Sequence, residues 1–358
     1  MGTGLLKVKP YYFDYLANCK SRWAGKPLLD VLNQEFRDRD DAYFRRAIGQ
    51  GLITLNGQQV TVDTLFEKKQ TMGHRVHRHE PPTSAQPVEI LHKDDDLIVI
   101  DKPGGLQAHP SGRYRHNTVV HLLRKKCDLD AIFPINRLDR LTSGVMLLAL
   151  NTKAAQKLNR SMTEDGFDKE YLCRVQGEFP SEPVECDMPM RTVSFKFSFQ
   201  YVDTVQGKPS LTRFERVSFN GRTSVVRCIP VTGRTHQIRV HLRHLGFPIA
   251  NDPIYGRHTP WSSLLDLIDP QQTEQTATPT IEKMLEKTTF DSMDMNDGQP
   301  RCAECHSLLI PDPVADQPLG IWLHSLRYSG SGWSYQSSTP KWAADDFDGD
   351  QVLHPAYV

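Results

Sequence analysis

The feature that most constrains the fold is a charged loop that runs directly into a continuous apolar segment. Residues 136–144 place Asp139 between Arg137 and Arg140 and end in a Thr-Ser-Gly turn. Residues 145–150 are all apolar, which predicts a strand buried on both faces of a sheet. The chain is therefore expected to form a layered fold, with Asp139 at the entrance to a central strand.

The remaining pattern favours an α+β fold. Residues 88–91 and 97–100 predict a strand pair that turns at three consecutive aspartates. From there to about residue 255, strands and short helices mix without the regular rhythm of a doubly wound sheet. Residues 319–324 predict a strand that returns to the core after a polar, acidic segment.

The first 80 residues predict a small separate domain. Residues 28–36 and 43–48 have helical apolar spacing, and an Asn-Gly turn joins predicted strands at 52–55 and 58–62. With Arg45 and Arg46 on the second helix, this order of elements resembles the S4-like α/β RNA-binding domain. The alternative is a generic α+β cap with a solvated basic face.

Composition shifts suggest the domain limits. Residues 261–300 hold eight acidic residues against two basic ones, a composition that cannot bury enough apolar surface to order itself. We predict an extension and S4-like domain at 1–80, a linker at 81–87, a larger domain at 88–343 with a disordered acidic insert at 258–300, and an acidic tail at 344–358.

The formal net charge of zero, from 43 basic and 43 acidic residues, conceals a segregation of charge. Besides the acidic insert, residues 341–358 carry four acidic residues and one basic residue. The rest of the chain therefore has a basic surplus, which is compatible with binding the phosphates of RNA or DNA.

The sequence also predicts an intracellular protein with no membrane partner. No stretch approaches the ~18–20 apolar residues of a membrane span, and the start lacks the apolar run of a secretory signal. Seven cysteines at irregular spacing favour free thiols in a reducing compartment. Cytoplasm, nucleus and mitochondrion are not distinguished.

A second segment rich in functional side chains spans residues 231–242. Residues 238–242 alternate apolar and polar, which predicts a strand with Arg239 and His241 on one face. Histidines at 236, 241 and 244 invite comparison with a metal site, but no acidic or cysteine ligand accompanies them at a recurring spacing, so we expect none. From its neighbours alone, Asp139 fits either an ionised nucleophile or a structural ion pair.

Together the two segments resemble the signature of the RluA family of pseudouridine synthases. Residues 137–144 match the family's Arg-Leu-Asp-x-x-Thr-Ser-Gly, and residues 233–241 match its Gly-Arg-Thr-His-Gln-Ile-Arg-Val-His. One departure is Asn136, where the family usually has histidine. Further family segments lie at 101–104, 169–171 and 323–324, and segments resembling the eukaryotic branch, which includes synthases for uridine 32 of tRNA, lie at 11–14, 76–82 and 113–118.

The resemblance implies a mixed, mainly antiparallel central sheet with flanking helices, and isomerisation of uridine in RNA, with tRNA as the favoured substrate. It implies Asp139 as the catalytic residue, acting at C1′ or by deprotonating C2′. It further implies Tyr171 as the tyrosine that stacks on the uracil, and Arg239 as the salt-bridge partner of Asp139. We expect RNA contacts from Arg137, Arg140, Arg234, His236, Arg45 and Arg46.

The same chemistry needs no cofactor, and we expect a monomer with RNA as its partner and no obligatory protein partner. The alternative is a catalytically inactive RNA-binding or RNA-chaperone homologue, against which the presence of Asp139, Tyr171 and Arg239 counts. Residues 302–306 match a haem-attachment pattern and half of a zinc site. Because no second Cys-x-x-Cys exists, we expect reduced thiols there and no metal.

Overall fold

A computed structural model of the chain describes residues 4–36, 39–164, 166–194, 199–257, 259, 300–307, 309, 312 and 319–351. The chain divides into two compact units. Unit 1 comprises Met1–Lys7, Pro81–Gln299 and Ile310–Val358, and unit 2 comprises Val8–Glu80 and Pro300–Leu309. This division differs from the sequence-based one in two places. Residues 1–7 belong to unit 1, and residues 300–309 belong to unit 2.

The strands, in chain order, are β1 (Leu5–Leu6), β2 (Tyr11–Asn18), β3 (Ile53–Leu55), β4 (Gln58–Gln59), β5 (Thr71–Arg78), β6 (Thr83–Ser84), β7 (Glu89–Lys93), β8 (Leu97–Lys102), β9 (Phe133–Pro134), β10 (Ser143–Ala149), β11 (Asp168–Gln176), β12 (Val184–Asp187), β13 (Met190–Ser194), β14 (Phe199–Val202), β15 (Leu211–Phe219), β16 (Thr223–Pro230), β17 (Leu323–Gly330) and β18 (Trp333–Gln336). The α-helices are α1 (Leu28–Glu35), α2 (Asp41–Gly49), α3 (Val119–Cys127), α4 (Thr152–Glu164) and α5 (Gln237–His244).

Unit 1 is built on a ten-stranded sheet with the order β12-β15-β16-β11-β17-β10-β8-β7. β18 pairs with β17, and β9 pairs with β10. β10 and β17 run parallel, whereas the other neighbouring strands of this sheet pair in antiparallel fashion. The predicted α+β fold with a mixed, mainly antiparallel central sheet is confirmed.

The apolar run after the charged loop forms β10, at the centre of this sheet. Residues 144–149 are all buried, and β8 pairs with β10 along its length. Gly144 has a φ of +111°, and a Cβ there would overlap the carbonyl of Ser325 on β17. The glycine of the turn is therefore required by the close parallel approach of β17.

Unit 2 packs two helices on a sheet with the order β2-β5-β3-β4. Helices α1 and α2 confirm the two predicted helices. Asp40 caps the start of α2, and its side chain accepts a hydrogen bond from the Tyr43 amide at 2.7 Å. Leu28, Leu32 and Phe44 form part of its core, each fully buried. The likeness of this unit to an S4-like domain stays a prediction.

The prediction of a strand at residues 238–242 is wrong, because these residues lie in α5. Five alternating residues also fit a helix that is buried on several sides, and residues 237–242 are all buried. At about 100° per residue, Arg239 and His241 point in different directions. His241 contacts Thr212 and the Met188 carbonyl, each at 3.0 Å.

Other segments differ from their predictions in extent. The predicted linker contains β6, which pairs with β1, and the returning strand begins only at Leu323. The first part of the predicted acidic tail packs into unit 1, since Asp350 is buried and accepts a hydrogen bond from Asn220 at 2.8 Å.

The acidic insert lies outside the described residues except at 259 and 300. No helix among the described residues is long and apolar enough to cross a membrane.

Candidate active site

The candidate active site lies in unit 1, where the loop before β10 meets the start of α5. Asp139 on this loop is about one-quarter exposed, with its side chain at 26%. Arg239 on α5 is almost fully buried and donates from Nη1 to Asp139 Oδ2 at 3.3 Å. The predicted contact between these two residues, which are 100 positions apart in the chain, is therefore present.

Arg239 is held in place by a second carboxylate, Asp252. Arg239 Nε donates to Asp252 Oδ2 at 2.6 Å, and Nη2 donates to Oδ1 at 2.9 Å, so the pair is bidentate. Burial would lower the pKa of Arg239, but Asp252 and Asp139 raise it above its ordinary value. With two of its nitrogens fixed by Asp252, Arg239 presents Nη1 to Asp139 without freedom to turn away.

His236 is the second cation-capable group beside Asp139. Its Nε2 lies 3.5 Å from Asp139 Oδ2, and its Nδ1 lies 2.9 Å from the Tyr255 hydroxyl. Burial lowers the pKa of His236 to about 4, despite the opposing effect of Asp139. The imidazole is therefore neutral at pH 7, with Nε2 facing Asp139 and Nδ1 facing the Tyr255 hydroxyl.

Tyr171 lies on β11 with its hydroxyl 2.8 Å from the hydroxyl of Tyr328 on β17. Burial raises the pKa of Tyr171 well above its usual value, and Tyr328 and Asp139 raise it further. The phenol is therefore protonated at neutral pH and is not a ready base. The predicted strand at Tyr171 is confirmed by β11.

A buried lysine supports the loop that carries Asp139. Lys102 Nζ donates to the carbonyls of Leu106 at 2.8 Å, Pro103 at 3.0 Å and Arg140 at 3.2 Å. Burial lowers the pKa of Lys102 to about 7, and Asp139 opposes this decrease. Lys102 thus fixes the backbone next to Asp139 and places a cation within electrostatic reach of it.

Asn136, the departure from the family signature, also holds this loop. It is buried, and its side chain accepts from the Leu147 amide at 2.8 Å and donates to the Val145 carbonyl at 3.3 Å. The amide side chain therefore makes paired hydrogen bonds to the backbone of β10, which does not require a charged residue at this position.

The structure distributes the predicted RNA-binding residues differently. Arg137 and Arg234 are exposed, while Arg140 is half-buried and its guanidinium lies 5.6 Å from the centre of the Tyr114 ring. Arg45 and Arg46 lie on the exposed side of α2 in unit 2. Arg45 Nε donates to Asp41 at 2.6 Å.

Sequence reasoning missed Asp252, Tyr255 and the supporting role of Lys102. Asp252 stands in an Asn-Asp-Pro segment that is typical of a surface turn, and its spacing of 13 residues from Arg239 has no helical or strand period. The signal that was available was a carboxylate two positions after the apolar residues 247–250. Lys102 lies in a recognised family segment, but only the fold shows that it is buried.

The arrangement suits chemistry at a partly exposed, anionic carboxylate. The guanidinium of Arg239 and the imidazole of His236 lie against the Asp139 carboxylate, and Lys102 holds the backbone next to it. The remaining exposed surface of the carboxylate can approach a substrate, and the buried phenol of Tyr171 lies close enough to be influenced by its charge.

Known proteins are similar to this chain in sequence and in fold. The family model described as RNA pseudouridylate synthase matches residues 96–244. The chain is 38% identical to Pseudouridylate synthase RPUSD2 of Homo sapiens, over 97% of this chain and 75% of that protein. It is also 38% identical to the mitochondrial tRNA pseudouridine(32) synthase of Saccharomyces cerevisiae, over 95% of this chain and 77% of that protein. A solved structure, Human RNA Pseudouridylate Synthase Domain Containing 1, is similar in fold, with a TM-score of 0.50 and 21% identity over 77% of this chain and 93% of that one.

Proposed function

The chain belongs to the RluA-type family of RNA pseudouridine synthases, and we propose that it converts uridine 32 of tRNA to pseudouridine with Asp139 as its catalytic residue. The family makes it an isomerase that acts on uridine in RNA. The tRNA target is supported by the 38% identity to a yeast protein named for that position.

The observation that carries the catalytic assignment is the geometry around Asp139. The carboxylate is partly exposed, yet its position is set by Arg239, which Asp252 in turn fixes by two hydrogen bonds. Pseudouridine formation requires cleavage of the C1′–N1 bond, rotation of the base and formation of a C1′–C5 bond. A charged, oriented carboxylate can act at C1′ or remove a C2′ proton, and both routes begin from the arrangement of Asp139.

The target nucleotide must leave the RNA stack to reach Asp139, at a cost of a few kcal/mol. Arg137 is exposed on the same loop, so its planar guanidinium can stack in the gap left by the base or pair with a phosphate. We assign Tyr171, whose buried ring lies on β11 with its hydroxyl against Tyr328, to contact with the uracil.

The proposal is tested by tritium release from tRNA that carries tritium at C5 of uridine, since the C1′–C5 bond displaces that hydrogen. We expect Asp139→Asn to lower release by at least about a thousandfold, because the amide cannot act as a nucleophile or base. Binding of the same tRNA should stay within about twofold at fixed salt, since phosphate contacts dominate affinity. Asp130→Asn, at an exposed site in the same unit, is the matched control.

Mapping pseudouridine in the product tRNA then tests the position. Modification at uridine 32 supports the proposed target, and modification elsewhere keeps the enzyme assignment but contradicts the target. Full activity of Asp139→Asn would contradict the role of Asp139. Tight binding without release by the wild type would favour the RNA-binding alternative.

A further inference from the structure

A second cluster of functional side chains lies in unit 2 and takes no part in the active site. One ligand atom from each of His77, His79, Cys302 and Cys305 lies within 4.8 Å of the others. His77 is on β5, and His79 follows just beyond its end, so the two-residue spacing places both on one side of the chain. The cysteines come from Pro300–Leu309, the second chain segment of the same unit.

Two distances within the cluster match the edges of a metal-centred tetrahedron. Cys302 Sγ lies 3.6 Å from His77 Nδ1, and Cys305 Sγ lies 3.4 Å from His79 Nε2. For zinc bonds of about 2.3 Å to sulfur and about 2.0–2.1 Å to nitrogen, tetrahedral geometry gives a sulfur–nitrogen separation of about 3.5 Å. A single thiol–imidazole hydrogen bond could give one such distance, but it would not bring two pairs to a common point.

The backbone around the cysteines is folded to support a thiolate. The amide of Glu304 donates to Cys302 Sγ at 3.4 Å, and the amide of Cys305 bonds to the same thiol. His306 then reverses the chain with a φ of +58°, so the Cys-x-x-Cys segment forms a tight turn around its sulfur atoms.

A carboxylate lies on the outer side of one histidine. Glu304 Oε2 is 3.8 Å from His77 Nε2, while His77 Nδ1 faces the cysteine. The same oxygen accepts a hydrogen bond from the Tyr12 hydroxyl at 2.9 Å, which restrains the carboxylate. Such outer partners commonly set the orientation of a histidine that ligates a metal.

We propose that His77, His79, Cys302 and Cys305 bind a structural zinc ion. Two thiolates and two imidazoles favour zinc over calcium or magnesium, which prefer oxygen ligands. Four protein ligands complete a tetrahedral shell and leave no open position for a substrate, so the ion joins the two chain segments of unit 2 and performs no chemistry. From the sequence we expected reduced free thiols at Cys302 and Cys305, because only further cysteines were considered as the missing ligands. The structure supplies His77 and His79 in their place.

The first test is elemental analysis of the untagged full-length chain, purified without chelator and freed of loosely bound metal. We expect about one zinc per chain, because the site provides one complete set of four ligands. The wild-type chain stripped of metal and reloaded with Co²⁺ should show the visible absorption of a tetrahedral site and the ultraviolet charge transfer of thiolate ligands.

Variants separate ligation from a merely structural effect. Cys305→Ser and His79→Ala should reduce the zinc content at least about tenfold, a loss typical of removing a ligand from a four-coordinate site. Cys19→Ser removes a cysteine of the same unit that lies outside the cluster, and it should keep the wild-type content. His79→Cys supplies a different ligand at the same position, and it should retain zinc and increase the charge-transfer absorption of the cobalt form.

Two outcomes would overturn the proposal. One is a wild-type chain that carries no zinc and gives no tetrahedral cobalt spectrum. The other is an equal zinc content in soluble Cys305→Ser and wild-type protein. If Cys305→Ser is insoluble, the wild-type cobalt spectrum and the retention of zinc by His79→Cys still decide the matter.

Discussion

Two buried arginines of unit 1 direct their hydrogen-bond donors to different kinds of acceptor. Arg174 on β11 donates to the carbonyls of Trp342 at 2.5 Å and Ala344 at 2.8 Å, and to Thr223 at 2.9 Å. Its nearest carboxylate, Asp350, is fully buried and lies 3.8 Å from it. Arg239 instead gives two nitrogens to buried Asp252 and one to partly exposed Asp139.

The comparison separates a structural cation from a functional one. The contacts of Arg174 lie inside the protein and tie the C-terminal residues to the sheet, so its charge stabilises the fold. Arg239 has the same burial, but part of its charge is directed to a carboxylate that a substrate can reach. Burial and ion pairing alone therefore do not identify a catalytic arginine; the exposure of the partner does.

Among the variants that test this comparison, Asp252→Ala has the largest expected effect. It leaves Arg239 buried without its bidentate partner, and we expect a loss of about 3–5 kcal/mol in the free energy of unfolding. Tritium release should also fall by about a hundredfold, because Arg239 no longer holds Asp139 in position. Urea unfolding and the tritium assay measure the two effects. If the folded Asp252→Ala variant released tritium at the wild-type rate, Asp252 would not position the site.

Asp350→Ala tests the structural arginine. It removes a buried acceptor from Thr223, Asn220 and Arg222, while Arg174 keeps its carbonyl partners. We expect a loss of about 1.5–3 kcal/mol in the free energy of unfolding, with unchanged tritium release per folded molecule. A decrease in release comparable to that of Asp252→Ala would erase the distinction between the two arginines.

The pH dependence of stability gives a smaller effect. Burial lowers the pKa of both His236 and His324 to about 4, below the unfolded value of about 6.5. Between these two pH values the unfolded chain therefore binds more protons than the folded chain. The contribution of the two neutral imidazoles to the free energy of unfolding is complete above about pH 6.5 and is lost as the pH falls towards about 4. We expect His236→Gln to reduce this loss by about 1–3 kcal/mol, measured by urea unfolding across that range.

His324→Gln is the control for that experiment. His324 bonds to Ser143 and Ser337, and neither of these hydrogen bonds involves Asp139. Both variants should flatten the pH profile of stability, but only His236→Gln should change tritium release. Identical pH profiles for wild type and His236→Gln would contradict a buried neutral imidazole at position 236.

The smallest expected effect is that of Tyr328→Phe, which removes the hydroxyl partner of Tyr171 and keeps the ring. We expect a cost of about 0.5–1.5 kcal/mol in the free energy of unfolding and a decrease in tritium release of less than about tenfold. Tyr171→Phe is the companion variant. A larger loss with Tyr328→Phe than with Tyr171→Phe would place the functional hydroxyl on Tyr328.

Local sequence pattern predicted the elements with strong periodicity. The apolar run at β10, the strand pair β7 and β8, and helices α1 and α2 all depend on residues close together in the chain. Helix α5 was predicted as a strand because it is buried on most of its surface, so its apolar residues do not mark one face. The family signature located Asp139 and Arg239, but the partner Asp252 required the fold.

The same limit explains the cluster in unit 2. The Cys-x-x-Cys segment was visible, and so were His77 and His79, but 225 residues separate Cys302 from His77. No periodic pattern extends over such a distance, and the intervening sequence builds a different unit. Long-range partners of this kind become visible only when the fold has placed the segments side by side.

The discontinuous unit 2 also sets an order of events during protein synthesis. Its first segment ends at Glu80 and its second begins at Pro300. At ~5–20 residues per second, the ribosome needs about 10–45 seconds to make the sequence between them. Unit 2 can thus be completed only after the long central segment of unit 1 has been made. A nascent chain that stops before residue 300 carries both histidines but neither of the cysteines that face them.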